Sequence, residues 1–422
     1  MKEVSIVAAT FYGNRGAEGM LSTTIGKLRD GYPGDLRFNV FSYYPQRDLE
    51  LVNDERISIY SSTPAYLVLV LFPCSVLFRI LGFFRFYTLQ KSLPNSVQAL
   101  ARSEMLVCLA GVSFVEGRAK FLPFNIATIV PAILLNIPVV KFAQAMGPFR
   151  SLVNRLAAKL ILGRCRQVFT RGEETHGYLH SLFRDRPLYQ RADDVAFLFA
   201  KEYCISSPAP GLDQRLDRLQ VLRAAGHKVV GVCPSVVIAK RAEAAGWDYR
   251  LRMLELINGL TQRGYVVVLY PNATRGEDMD KTHNNDLPLL AAIASGLTQE
   301  VKEKVVYFID SLNIGQIHRI ISACDVQAVS RFHAMVASLA SGVPVMVIGW
   351  SHKYLEVMER FRQGDMVLDY TAGSVEPALN CIEKLLFECR TRIDQITAAL
   401  PEVQQMSNMQ LQYLLELLKS KE

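Results

Sequence analysis

The sequence predicts an α/β protein of two Rossmann-like domains facing a cleft, with parallel sheets and a helical C-terminal segment. Three observations predict it. Short, continuously apolar runs such as KVVGVC (228–233) and YVVVLY (265–270) alternate with helical patterns, as parallel strands covered on both faces do. The alternation occurs twice, on either side of SSPAPGLD (206–213), a stretch rich in Pro, Ser and Gly that reads as a linker. The chain has 422 residues, more than one ordinary core holds.

In the first half, strands are expected near 4–9, 37–42, 105–110, 138–143 and 167–170. Helical patterns lie between them, as at 17–28 and 152–162. In the second half, strands are expected near 228–233, 265–270, 305–309, 325–329, 344–348 and 366–369. Helices near 249–262, 287–295, 314–323, 332–341 and 353–362 separate them. The chain beyond about 375 is helical in pattern and shows no strand. The expected organisation is an N-terminal domain over 1–205, a C-terminal domain over 214–374, and helices over 375–422 that pack back on the pair.

Composition narrows the function. Half of the residues are hydrophobic, mean hydropathy is slightly positive, and the formal net charge is +7. A basic surface attracts anions. No Lys/Arg-rich run with interleaved aromatics stands out, so nucleic acid is not an expected partner. The eight cysteines are scattered, with no CxxC pair and no zinc spacing. A reducing compartment, no disulfide frame and no metal are expected. The opening MKEVSIVAATFYGNRG reads as a first buried strand running into a Gly loop, and not as a signal peptide.

The segment 64–84, PAYLVLVLFPCSVLFRILGFF, is uncharged from 65 to 78. Pro73 is expected to break it, so a clean bilayer span of ~20 residues is not expected. A buried hairpin or core helix is one reading; the preferred one is an apolar, aromatic-rich element in the surface of an anionic membrane, with Arg79, Arg85 and Lys91 at headgroups. That places the protein in the cytoplasm, peripherally at the inner face of the cell membrane.

Ligands of open α/β sheets bind beyond the carboxyl ends of the strands, so the strand-to-helix loops are the places to search. In TFYGNRGAEGM (10–20), Gly13 and Gly16 permit a tight turn into a helix start, and Asn14 and Glu18 are candidates for sugar hydroxyls. The motif is not GxGxxG, which argues against a nicotinamide. CLAGVSFVEGR (108–118) places Gly111 at a strand tip where a ligand can approach. KFAQAMGPF (141–149) places Gln144 where it can read a hydroxyl. FTRGEETHGYL (169–179) puts Arg171 and Glu173 at a helix start, where the two can simply pair.

The most informative loop is AVSRFHAMVASLASGVPVMVIGW (328–350). Ser330 is the expected N-cap, Arg331 the first helical residue and His333 the third. Unpaired amides there favour an anion. Arg331 adds a bidentate fork for phosphate or carboxylate, and His333 adds a proton-transfer group. The next strand end, PVMVIGWSHKYLEVMERF (344–361), offers Trp350, His352 and Lys353 to the same pocket. Weaker candidates are Ser235, Lys240 and Arg241 in CPSVVIAKR (233–241). The polar loop 270–288 carries Asp278, Asp280, His283, Asn284 and Asp286, and reads equally well as a solvated lid.

Taken together, GNRGAEGM, AQAMGPF, TRGEE and above all SRFHAMVASLASGVPVMVIGWSHKY resemble the polysaccharide pyruvyl transferase family over almost the whole chain. The resemblance implies a two-domain enzyme of the GT-B type that takes pyruvate from phosphoenolpyruvate (PEP) and joins it as a cyclic ketal to two hydroxyls of one sugar. The sugar would belong to an exopolysaccharide or cell-envelope precursor, lipid-linked or nucleotide-linked, at the inner membrane face. It implies that Arg331 and His333 handle PEP, that Lys353 is the lysine common in the next loop, and that Asn14 and Glu18 match the family's Asn-x-Gly-Asp-Glu loop. PEP is then a co-substrate, and no cofactor is expected. The sequence departs from the family pattern at Ala17, Gly19, CLAGVSF and TRGEE, mainly in the acceptor-side half. Two other readings fit the same fold: a GT-B glycosyltransferase that uses a nucleotide sugar, and a non-catalytic envelope-assembly protein.

Overall fold

The computed structural model describes residues 1–205, 208–276, 278–349, 352–369 and 374–420, without the side chain of His352. The sequence-predicted Trp350 and the first residues of the expected linker lie outside the described residues. The chain divides into two compact units. The first comprises Met1–Tyr12, Ala17–Phe199 and the stretch from Gln404 onward; the second comprises Gly13–Gly16 and Ala200–Val403.

The first unit is built on eight strands: β1 (Lys2–Val7), β2 (Leu36–Ser42), β3 (Ile57–Ser61), β4 (Met105–Cys108), β5 (Val112–Val115), β6 (Val139–Gly147), β7 (Gln167–Arg171) and β8 (Tyr189–Ala192). Their order is β3-β2-β1-β4-β6-β7-β8, with β5 beside β6, and every pair is parallel. Apolar residues of β1, β4 and β6 point both ways, so both faces need cover. Ser5 and Val7 point to one face, where Ser5 bonds Ser103 at 2.7 Å and Val7 joins a core with Leu71, Leu100 and Ile129.

The second unit has six strands: β9 (Val229–Cys233), β10 (Val266–Leu269), β11 (Val305–Tyr307), β12 (Val326–Val329), β13 (Val345–Gly349) and β14 (Val367–Asp369). Their parallel order, β11-β10-β9-β12-β13-β14, is the doubly wound order of a Rossmann fold. The order reverses between β9 and β12, where Gly231 lies opposite Gln327. A Cβ on Gly231 would come within 2.1 Å of Gln327 Oε1, so glycine is what lets this amide lie across the strand. Gln327 is fully buried and satisfied: it accepts from Tyr270 Oη (2.8 Å) and donates to the Ile321 carbonyl (3.2 Å).

Every strand expected from the apolar runs is present. Three were not expected. β3 and β8 are edge strands in which no more than one residue is fully buried, and β5 has only four residues; none shows the continuous apolar run of a central strand. The division between units falls at Phe199/Ala200, before the expected linker. Asn313 explains part of this, because its Nδ2 donates to the Ile205 carbonyl (2.9 Å) and so ties 200–205 into the second unit. The same residue caps the helix Ile314–Ser322 through a reciprocal capping box with Gln316.

The C-terminal helix Cys389–Lys419 contains Pro401 and contributes to both units. In the second unit Arg392 grips Asp365 through two bonds of 2.9 and 2.7 Å. In the first, Gln410 accepts from the Ala143 amide (2.6 Å) and donates to the Asp193 carbonyl (2.7 Å).

Residues 64–83 correct the expectation that Pro73 breaks the segment. They form one continuous helix, with a π-helical stretch at Leu67–Leu71 just before the proline. Proline has no amide to donate and crowds the carbonyl four residues back. The wider turn, in which the Phe72 amide reaches the Leu67 carbonyl, relieves that crowding.

One buried histidine makes the second unit acid-sensitive. His318, on the helix Ile314–Ser322, holds Ser341 Oγ at 3.0 Å, at the end of the helix Phe332–Ala340. Burial pushes its pKa down to about 4. The unfolded value is ~6.5, so between these limits the unfolded chain binds more protons than the folded one. This group's contribution to stability is therefore complete above pH ~6.5 and is lost as pH falls towards ~4, by up to about 3 kcal/mol. His318→Gln is expected to flatten the dependence of the urea midpoint on pH across that window; an equally steep dependence would contradict this.

Candidate active site

The crevice of a doubly wound sheet lies where the strand order reverses, which in the second unit is the pair β9 and β12. Two hydroxyls brace it. Tyr249 Oη bonds Ser330 Oγ at 2.7 Å and accepts from the Ser235 amide at 3.4 Å, so the loops after β12 and β9 share one fully buried phenol. Ser235 itself caps the helix Val236–Ala244. Burial raises the Tyr249 pKa above the ordinary tyrosine range, and the phenol stays neutral.

Arg331 is held more firmly than its sequence context predicts. Its Nε donates to Asp286 Oδ2 (3.0 Å), Nη2 to Asp286 Oδ1 (2.5 Å) and Nη1 to Asn284 Oδ1 (2.7 Å). Asp286 is fully buried and Arg331 nearly so. The Asp286 carboxylate also accepts from the amides of Val236 (3.0 Å), Ala273 (2.9 Å) and Asn272 (3.4 Å). One ion pair therefore fixes the loops after β9, β10 and β12. Burial opposes the Arg331 charge, and Asp286 more than offsets it, so the guanidinium is held above its usual pKa. The expected bidentate fork exists, but its partner is Asp286.

The helix after β12 spans Phe332–Ala340, with Arg331 at the N-cap position. The expectation that Ser330 caps it is corrected: the Ser330 hydroxyl is engaged by Tyr249 instead. His333 lies in the first turn. Its ring packs edge-on against Phe332, with centroids 5.3 Å apart. It also backs onto Gly16, where a Cβ would sit 2.1 Å from His333 Nδ1.

Gly16 belongs to the short stretch 13–16 that groups with the second unit. That stretch pairs antiparallel with 272–274: the Arg15 amide donates to the Asn272 carbonyl (3.2 Å), and the Thr274 amide to the Gly13 carbonyl (2.8 Å). Asn14 turns the stretch by accepting from the Gly16 amide (3.1 Å). Gly13 has φ +89°, and a Cβ there would meet Arg275 Nη1, so glycine is required twice over.

Cations gather on the other side of the junction. Tyr354, buried, packs edge-on against Phe332 and is pushed up to about 12, first by burial. Arg331 and Arg241 both act on it electrostatically, and Lys353 Nζ lies 5.3 Å from its ring centroid and 4.8 Å from that of Phe332. Among the described residues, no group of three or more His, Cys, Asp or Glu is placed to hold a metal ion.

The structure thus brings Asn14, Gly16, Ser330, Arg331, His333 and Lys353 into one unit. The side chain of His352 lies outside the described residues. Glu18, Gly111 and Gln144 belong to the first unit. Glu18 is buried, and the position of a Cβ on Gly111 is open space. Gln144 is an internal strut, accepting from Ser113 (2.7 Å) and donating to the Cys108 carbonyl (2.9 Å). Arg171 is buried in an ion pair with Asp194 (2.5 Å) and does not pair with Glu173, which meets Arg191. Sequence reasoning undervalued Asp286. Its signal was slight, an Asp before Leu287-Pro288 at a helix start, where capping is the ordinary role; in fact its side chain makes no cap.

Residues 37–352 match the family Polysaccharide pyruvyl transferase. The chain belongs to that family. The family makes it a transferase of the pyruvyltransferase class, and the Amylovoran biosynthesis protein AmsJ of Erwinia amylovora is 22% identical over 302 residues, covering 71% of this chain and 70% of AmsJ. Two solved structures share the fold. Anabaena HepE, in complex with UDP and glucose, aligns over all of both chains at 14% identity and TM-score 0.55. The UDP-GlcNAc 2-epimerase of Neisseria meningitidis, bound to UDP-GlcNAc, aligns over 99% of this chain and 100% of its own at 11% identity and TM-score 0.57. The pyruvyl transferase chain therefore has the GT-B-type α/β fold, with two parallel sheets and a helical C-terminus.

Two substitutions test the construction of the site. Asp286→Asn removes the charge that pairs Arg331 and is expected to cost about 3–5 kcal/mol, read from urea unfolding; a cost under ~1 kcal/mol would show that the pair does not hold the loops. Gly16→Ala is expected to cost about 1–3 kcal/mol, but under ~0.5 kcal/mol in a His333→Ala background, where the ring is gone. Equal costs in both backgrounds would separate Gly16 from His333.

Proposed function

We propose that this transferase moves pyruvate from PEP onto two hydroxyls of one sugar in an exopolysaccharide or envelope precursor, carried on a lipid, with His333 as the proton-transfer group. The observation that supports it most is the position of His333. In a chain of this family, it stands in the first turn of a helix at the switch point of the second sheet, beside Phe332, whose ring carries Lys353, and next to the braced Arg331.

The chemistry asks for what the junction offers. A proton adds to the PEP methylene, which becomes a methyl group and leaves C2 cation-like. One sugar hydroxyl adds to C2 and gives up its proton. The C2–O bond to phosphate breaks, and the second hydroxyl adds to C2 and closes the ketal. Two hydroxyl protons are released; one balances the proton given to carbon, and the other leaves with phosphate. A single imidazole can deliver the first proton and collect one afterwards.

PEP carries a phosphate and a carboxylate. The first amides of the helix Phe332–Ala340 favour an anion, and Lys353 and Arg241 add positive charge that needs no reorganisation during the reaction. Arg331 acts here as a positioning residue: with its fork on Asp286, it sets the angle at which the helix, and with it His333, leaves β12. Gly16 allows the ring its place.

Donor binding tests the proposal directly. A ligand that binds only the folded state raises stability by RT ln(1 + [L]/Kd). PEP is expected to raise the thermal midpoint of the purified chain, and UDP-sugars are not. Lys353→Ala is expected to weaken PEP ~10–100-fold, the worth of one charged hydrogen bond. His333→Ala is expected to keep the PEP shift while turnover falls ~10²–10⁴-fold. Stabilisation by a UDP-sugar with indifference to PEP would replace this reading by glycosyl transfer.

A further inference from the structure

The first unit exposes more large apolar side chains on one layer of helices than a water-facing surface ordinarily carries. In the helix 64–83, Leu67, Leu71 and Ser75 are buried; Leu67 and Leu71 join the core of the unit, and Tyr66, Cys74 and Phe78 pack partly against it. The helix's remaining sides are apolar and open: Val68, Leu69, Phe72, Leu77, Ile80 and Phe83 are exposed, Leu69 by 73% and Phe83 by 82%. Phe84, Phe86 and Tyr87 continue the exposed run beyond its end.

A second helix repeats the arrangement. Leu152–Leu162 buries Asn154, Ala158, Ile161 and Leu162. On its opposite side Leu152, Leu156 and Leu160, at i, i+4 and i+8, are exposed together with Val153 at 70%. Nothing in the apolar run 64–84 announces this helix. The two belong to one layer: 72–83 packs on Val130–Leu134, which packs on Leu122–Ala127, which packs on 152–162. Their inner sides share one core on the same face of the sheet.

Charge chooses the occupant. The stretches 57–103 and 117–172, which include the layer, contain thirteen Lys and Arg and no Asp or Glu; of these, Lys141 and Arg171 are buried in the sheet, Arg171 against Asp194. The chain as a whole is +7, so the remainder is net −6. Arg79, Arg85, Lys91, Lys120, Arg150, Arg155 and Lys159 are exposed. In a symmetric pair of copies the same patch would meet itself and bring these cations together. An anionic bilayer receives them instead: apolar side chains enter the headgroup boundary, cations meet phosphates, and the aromatics at 83–87 sit at the interface. The stripe of Leu67, Leu71 and Ser75 ties 64–83 to the folded unit, so the helix lies in the plane of the membrane.

We propose that helices 64–83 and 152–162 together form a face that docks the first unit on an anionic phospholipid surface. The proposal does not rest on the reaction assigned above. Its test is sedimentation of the full chain with sucrose-loaded phosphatidylcholine vesicles, with and without phosphatidylglycerol, for wild type, Leu156→Glu/Leu160→Glu and Leu69→Glu/Phe83→Glu. All four positions are exposed, and an unchanged thermal midpoint verifies folding. The bound fraction of wild type is expected to rise with phosphatidylglycerol and fall with salt, and each double variant is expected to bind ~tenfold more weakly or worse. Wild-type binding by Leu156→Glu/Leu160→Glu would remove the second helix from the face and overturn the proposal. So would a wild type that ignores vesicles but elutes as a dimer that the substitutions dissociate, since the face would then join two copies.

Discussion

The second unit depends on one buried carboxylate. Asp286 takes the charge of Arg331 and three backbone amides, at Val236, Asn272 and Ala273, so three strand-end loops close on a single group. A buried ion pair is seldom a net gain against apolar packing, because both charges must leave water. Its value lies in what is lost when Asp286 is missing: a guanidinium and three amides are left without that acceptor at a largely buried site. An arrangement of that kind specifies one geometry and penalises its neighbours. Because Asn272 and Ala273 also carry the pairing with 13–16, the carboxylate's influence extends to the stretch that supplies Gly13 and Gly16.

This changes how the arginine in SRFHA is understood. A free fork would serve as a subsite for an anion; a fork given to Asp286 serves as a brace. The helix that begins after Arg331 buries seven of its nine residues, among them Phe332, Ala334, Met335, Val336 and Leu339, and has little freedom to tilt. His333 is one of the two that keep some exposure. The two small residues Gly13 and Gly16 complete the same design from the other side, one giving way to Arg275 and one to His333. Apart from this brace, Lys353 lies over the rings of Phe332 and Tyr354, and Arg241 acts electrostatically on Tyr354.

Much of this was legible in the sequence, and the limits have physical causes. Runs such as VVGVC and VVVL, short and set between helical patterns, read as buried parallel strands, and they appear where expected. SRFHA marks a strand-to-helix junction by its composition. The residue that Arg331 pairs with is 45 positions earlier, inside a loop crowded with polar side chains, and no local pattern separates Asp286 from Asp278 or Asp280. The strand expected near 138–143 places Gln144 just past its end, but the strand continues to Gly147, and the hydrogen bonds of Gln144 to Cys108 and Ser113, like the ion pair of Arg171 with Asp194, belong to the core. Edge strands such as β8 lack the apolar continuity that identifies a central strand. The proline at 73 argued for a break, and a π-helical turn absorbed it.

Composition alone is a poor guide to the helix 64–83. With twenty residues and a mean hydropathy of 2.1, it is long and apolar enough to cross a bilayer. A spanning helix, however, meets lipid all round, while this one gives a stripe at i, i+4 and i+8 to the core of a folded α/β unit. Pulling it across would expose Leu67 and Leu71 to lipid at little cost, but it would also strip Val7, Leu106 and Ile129 of their cover and leave a parallel sheet open on one face. A parallel sheet is stable only when both faces are covered. The sheet therefore holds the helix through Leu67 and Leu71, and what is left of its apolar surface, with that of 152–162, is exposed on one layer.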